Sequence, residues 1–228
     1  MAHDVAIPIV FPDYVISVPR DMIVQVPSKK FDLPSALNRL GIPDFSTPKL
    51  ESPTTVPDAG HAGVLFINGA NGLSRYYEYG RYDPSEVGVR PTSPPVAGLV
   101  RKRGVPDVKL LHGEITPDSL KATLRAISKS AGYGGRIAAA YIEVPKKFAA
   151  MEAYAIKRAR QNTDAKRDPY SITSNSCVHF MIGTVEAAGV NLPRMYDPRP
   201  KSYIEKTRAS FRPLDYEPAG DKMILAPL

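Results

Sequence analysis

From His61 to Ile67 the chain reads His-Ala-Gly-Val-Leu-Phe-Ile, a near-continuous apolar run of strand length. Such a run predicts a strand buried on both faces. The next residues, Asn68-Gly69-Ala70-Asn71-Gly72, hold two Asn-Gly pairs that tolerate positive φ, and Leu73 to Tyr79 returns as a second strand. Residues 61–79 are therefore predicted as a β-hairpin, with His61 at the start of one strand close to Glu78 near the end of the other. Further strands are predicted over 96–102, 105–111 and 137–144. A helix opens at Thr116-Pro117, carries Leu120, Leu124 and Ile127 on one face and stops at Gly132. A second runs from Pro145 to about Gln161, with Phe148, Met151, Tyr154, Ala155 and Arg158 at helical spacing. A third follows the cap-forming run Thr173 to Ser176 and is apolar at Val178, Phe180, Met181, Ile182, Val185 and Ala188 until Gly189.

The flanks read differently. Residues 1–58 carry Pro8, Pro12, Pro19, Pro27, Pro34, Pro43, Pro48, Pro53 and Pro57. Proline fixes φ and removes an amide donor, so long helices and central strands are not expected there. The region is read as a proline-rich N-terminal arm, with short edge-strand pieces at 14–18 and 22–26 and a helical turn at 34–40. Asp83-Pro84 and the stretch from Pro91 to Pro95 read as a long loop. The expected organisation is an arm over 1–58, one α+β core over 59–191 in which an antiparallel sheet packs against helices, and a C-terminal extension over 192–228.

Composition narrows the chemistry. The 228 residues, 43% hydrophobic and 23% charged, suffice for one substantial core. A single cysteine excludes an internal disulfide framework and any multi-cysteine zinc site. His3, His61, His112 and His179 show no metal-binding spacing, so neither a metal nor a cofactor is expected. No segment is long and apolar enough to span a bilayer, and the N-terminus lacks the basic and apolar regions of a signal peptide, so synthesis in the cytoplasm is expected. The net charge of +7 and pI near 9.4 favour anionic partners: nucleic acid, a membrane surface or an acidic cell-envelope polymer. The basic clusters, among them Arg101-Lys102-Arg103, read as solvated faces. No nucleic-acid motif accompanies them, so nucleic acid is not an expected partner.

The one cysteine, Cys177, falls in the first turn of the third predicted helix. Unpaired N–H groups and partial positive charge at a helix N-terminus lower a thiol pKa, and the thiolate is the nucleophile. A buried cysteine also serves as a small core residue. A base within reach decides for chemistry, and His61 facing Glu78 across the hairpin is the candidate. His179 is not, because residues two apart on a helix do not face one another.

A strand opening His-x-Gly-Val-x-Phe-Ile, a partner strand with a polar residue, and a later helix opening Asn-x-Cys-x-x-Phe resemble the circularly permuted NlpC/P60 branch of the papain-like cysteine hydrolases. In that branch the His strand precedes the Cys helix, as His61 precedes Cys177. The resemblance spans roughly residues 61 to 190. It implies Cys177 as nucleophile, His61 as base and Glu78 as the group that orients the imidazole, roles that thiol chemistry also requires. The backbone N–H of Cys177 is the natural first oxyanion donor, with Asn175, Ser176 and Tyr170 as candidates for the second. Ser176 stands where relatives commonly carry Asn or Asp.

The resemblance and the basic charge imply a hydrolase that cleaves amide bonds in peptidoglycan stem peptides. Without an export signal, a wall enzyme fits a toxin delivered by a contact-dependent machine such as a type VI secretion system. An immunity protein and a secretion-machine component are then its expected partners, and a target-cell periplasm its place of action. Two alternatives stand beside this: a lipid-directed thiol acyltransferase or phospholipase, and a noncatalytic binding module on the same fold.

Overall fold

The computed structural model describes residues 3–14, 17–18, 54–55, 60–82, 98–171, 173–195 and 199–227. Its frame is a seven-stranded antiparallel sheet built from β1 (Val5–Phe11), β4 (His61–Ile67), β5 (Ser74–Gly80), β6 (Leu99–Arg103), β9 (Ile137–Glu143), β10 (Arg212–Glu217) and β11 (Lys222–Leu225). The order across the sheet is β11-β10-β9-β1-β4-β5-β6. Two minor pairs stand apart, β2 (Ser17–Val18) with β3 (Thr54–Thr55), and β7 (Leu110–Leu111) with β8 (Glu114–Ile115). Four α-helices, α1 (Pro117–Ala131), α2 (Phe148–Arg160), α3 (Cys177–Glu186) and α4 (Pro200–Arg208), and a 3-10 turn at Gln161–Thr163 complete the described chain.

Both faces of the sheet are covered, which is why β1 and β4 are buried at every position. Ala62, Val64 and Phe66 of β4 join Val178, Phe180 and Met181 of α3 and Met151 of α2 in one core. Leu65 and Ile67 alternate to the other face and join Leu120, Leu124 and Ile127 of α1. At roughly 1.5–3 kcal/mol for each large side chain removed from water, these two layers supply most of the driving force. Helix α3 packs on β1, β4 and β5, while α4 packs on β1 and β9.

The hairpin lies where the sequence places it. Gly63 pairs with Glu78 and Ile67 with Ser74, and the turn closes with Gly72 donating to the Asn68 carbonyl at 2.8 Å. Gly63 has a steric role, since a Cβ built there would lie 2.2 Å from the Tyr76 hydroxyl.

Residues 5–11 depart from the expected arm, because they form the central strand β1, paired with β4 on one side and β9 on the other. Pro8 leaves its mark, since the pairing with β9 skips Ile7 and Pro8. A lost hydrogen bond costs about 1 kcal/mol, whereas Val5, Ile7, Ile9, Val10 and Phe11 are all buried. Burial wins by a wide margin. Asp4 adds a local tie, its carboxylate accepting from the Gly69 N–H and from the Phe148 N–H that opens α2, both at 2.8 Å.

The tail departs as well. Residues past 192 supply α4 and the strands β10 and β11, which extend the same sheet beyond β9. The strand expected over 105–111 is confined to Leu110–Leu111, because Val108 instead donates to the Gly72 carbonyl at 3.0 Å beside the hairpin turn. The strand piece at 22–26, the helical turn at 34–40 and the loop from 83 to 95 lie outside the described residues, as do parts of the piece at 14–18.

Candidate active site

Cys177 is the first residue of α3 and His61 the first of β4, and the two meet at the end of the sheet. Strand alternation puts His61 with Leu65 and Ile67, on the face turned away from the α3 core. The two side chains act on each other's ionisation, and the Ala62 backbone also favours charge on the sulfur.

Behind His61 stands Glu78, fully buried at 0% exposure. Its Oε2 lies 3.1 Å from His61 Nε2 and accepts from the Tyr76 hydroxyl at 3.3 Å. With Nε2 so engaged, Nδ1 is the nitrogen left for the thiol. The other carboxylate oxygen, Oε1, accepts from Arg101 Nε at 2.8 Å and Nη2 at 2.7 Å, and from Arg103 Nε at 3.0 Å. Within the Arg101-Lys102-Arg103 run, strand alternation turns both arginines onto Glu78 and leaves only Lys102 exposed.

The electrostatics follow from these contacts. Burial alone would raise the Glu78 pKa, but His61 and Arg101 overcome it and hold the carboxyl at about 2. Burial pushes His61 down, and its hydrogen bonds to Cys177 and Glu78 reverse the direction and lift it to about 9. Burial likewise opposes ionisation of Cys177, yet the hydrogen bonds from His61 and Tyr170 leave the thiol below its ordinary value. A lowered thiol beside a raised imidazole favours ionisation of the thiol.

The three candidate second donors separate clearly. The Tyr170 hydroxyl points at Cys177 Sγ from 3.8 Å, its ring stacked on Tyr79. Asn175 is engaged elsewhere: its Oδ1 accepts from Arg158 Nη2 at 2.9 Å, and its Nδ2 donates to the Tyr79 hydroxyl and the Pro169 carbonyl, both at 3.0 Å. Ser176 caps α3, its hydroxyl 2.8 Å from His179 Nδ1. Only Tyr170 therefore has its polar atom at the sulfur. Asn175 holds the backbone next to Tyr170, so Asn175→Ala is expected to cost about 1–3 kcal/mol and to slow alkylation of Cys177. Unchanged alkylation would show that Tyr170 keeps its place without that anchor.

Tyr82 is a site residue that periodicity did not reveal. Its hydroxyl lies 2.9 Å from His61 Nε2 and the Arg101 guanidinium covers its ring at 3.6 Å. The one available signal was position: it stands two residues beyond the strand that carries Glu78. Among the described residues no cluster of His, Cys, Asp or Glu could hold a metal ion, and no helix is long and apolar enough to cross a membrane.

Comparison with known proteins places this geometry in context. A family model for TseH-like type VI secretion system effectors matches residues 6–191. The crystal structure of the type VI secretion system effector TseH aligns with a TM-score of 0.74 at 31% identity, over 99% of this chain and 98% of that one. No curated protein matches the chain.

Proposed function

The chain belongs to the family of TseH-like type VI secretion system effectors, and from that premise we propose that it is a cysteine hydrolase of the permuted NlpC/P60 type. Its proposed substrate is the amide bonds of peptidoglycan stem peptides, cut in the periplasm of a target cell. The observation that carries this reading is the buried relay from Cys177 through His61 to Glu78, with Glu78 held ionised by Arg101 and Arg103. A noncatalytic binding module has no use for two partly buried arginines fixing a buried carboxylate behind an imidazole. The basic surface suits an anionic wall polymer. The effector role also makes an immunity protein and a component of the secretion machine fitting partners.

In this reading the Cys177 thiolate attacks the amide carbonyl carbon, and the developing oxyanion takes hydrogen bonds from the Cys177 backbone N–H and the Tyr170 hydroxyl. The C–N bond breaks as His61 gives its Nδ1 proton to the departing nitrogen, leaving a thioester on Cys177. Water then loses a proton to His61 and attacks the thioester, releasing the acid and restoring the thiolate–imidazolium pair. Glu78 keeps the imidazole in register through both halves.

The test is incubation of the full chain with purified peptidoglycan and mass analysis of what becomes soluble. New peptide ends from wild type, absent with Cys177→Ala, support the reading and identify the bond. Intact peptidoglycan together with release of fatty acid from lipid vesicles would move the assignment to lipid acyl chemistry.

The pH dependence follows from the paired shifts. The reactive pair needs Cys177 ionised and His61 protonated, so activity is expected on a plateau that falls on the alkaline side near pH 9, where His61 loses its proton. On the acid side it falls at the depressed thiol pKa, below the ordinary value of 9.0. Alkylation of Cys177 by iodoacetamide should therefore proceed readily at pH 7, where a free thiol with pKa about 8.5 is only a few per cent ionised. An alkylation profile rising with a midpoint near 8.5 or above would contradict the ion pair.

A further inference from the structure

An aromatic path leads from the imidazole to the surface. Tyr14 lies against the His61 ring with centroids 5.3 Å apart, and Tyr133 lies 5.3 Å from Tyr14 in turn. Tyr133 is 86% exposed, in the loop Gly132-Tyr133-Gly134-Gly135 between α1 and β9. Its φ of 51° would be unremarked in glycine, but it puts a tyrosine backbone in the sparsely populated left-handed region. Core packing does not account for a large ring held in water at that conformational cost, and such departures gather where ligands bind. Beside the pair, Arg136 Nε donates to Asp13 Oδ2 at 2.8 Å, both side chains substantially exposed.

These features specify a ligand class. A flat aromatic face takes the C–H groups of a pyranose ring, while the phenol hydroxyls, the Asp13 carboxylate and the Arg136 guanidinium around it suit the sugar's hydroxyl and amide groups. An acyl chain needs a continuous apolar groove, which charged groups at this rim interrupt. We propose that Tyr14 and Tyr133 form a glycan subsite beside His61, seating a sugar ring of the strand whose stem peptide is cut. The choice of a glycan-linked substrate rests on the peptidoglycan reading, whereas the subsite itself rests on the ledge.

The test uses the full chain with Cys177→Ala and a peptide-free N-acetylglucosamine oligosaccharide as probe, followed by calorimetric titration and by NMR of the tyrosine rings. Saturable binding is expected, with resonances of Tyr14 and Tyr133 shifting. Tyr133→Asn, which removes the ring while tolerating the left-handed backbone, should weaken binding at least fivefold at an unchanged melting temperature. Tyr133→Phe should weaken it less than twofold. No saturable binding, or equal binding by Tyr133→Asn, overturns the subsite. If wild type cuts peptidoglycan while the oligosaccharide fails to bind, the subsite falls and the proposed function stands. If the oligosaccharide binds through Tyr133 but peptidoglycan is never cut, the subsite stands and the proposed function falls.

Discussion

Cys177→Ala is expected to abolish hydrolysis, by about 10⁴-fold or more, with the fold retained. The loss is chemical, because alanine removes the atom that forms the thioester. The vacancy left in the core is the size of one sulfur, so the melting temperature should move little beside the change in rate. His61→Ala should match it closely, since without the base the thiol loses the partner that ionises it and the departing nitrogen loses its proton donor. The double variant should be no worse than either single one, because two groups that act as one unit are not additive. Rates of peptide release from purified peptidoglycan provide the measure. Full activity in either single variant would remove that residue from the mechanism.

That this pair could be named from sequence is a matter of local signals that act over short range. The Asn68-to-Gly72 turn fixes the register that sets Gly63 against Glu78, and cap residues followed by an apolar run fix the start of α3 at Cys177. Both are decided by residues within a few positions of one another. The central strand β1 was not legible for the opposite reason. Its proline speaks against a middle strand locally, and only its pairing with β4 and β9, far along the chain, outweighs that signal. The same holds for β10, whose partner β9 lies some seventy residues upstream, as the pairing of Arg212 with Tyr141 shows. Side-chain direction was the other hidden quantity. The sequence reading treats Asn175, Ser176 and Tyr170 alike as donors, and the distinction among them arises from Arg158, Tyr79 and His179, which tie up two of the three.

Glu78 shows how such hidden contacts change an expectation. As a residue that merely orients an imidazole, Glu78→Gln would be a mild change. The structure gives it a second task, because its carboxylate is the shared acceptor for Arg101 and Arg103, whose side chains are only 12% and 27% exposed. Glutamine keeps the shape and loses the charge, leaving two largely buried guanidinium groups without the carboxylate between them. Removing one partner of a buried ion pair costs about 3–5 kcal/mol, which for a chain of this length lowers the melting temperature by about 10 °C. Activity should fall by about 10²–10⁴-fold, through a misoriented His61 rather than a lost reacting group. The sign of the pH dependence separates this from a generic packing defect. Because the folded-state pKa is depressed from 4.5 to about 2, the stabilisation by Glu78 is fully present above pH 4.5 and disappears as pH falls through about 2. The stability gap between wild type and Glu78→Gln should thus be constant from neutral pH to about 4.5 and close steadily below it. A gap under 1 kcal/mol at pH 7, or one that persists undiminished at pH 2, would mean that the arginine pair does not depend on this carboxylate.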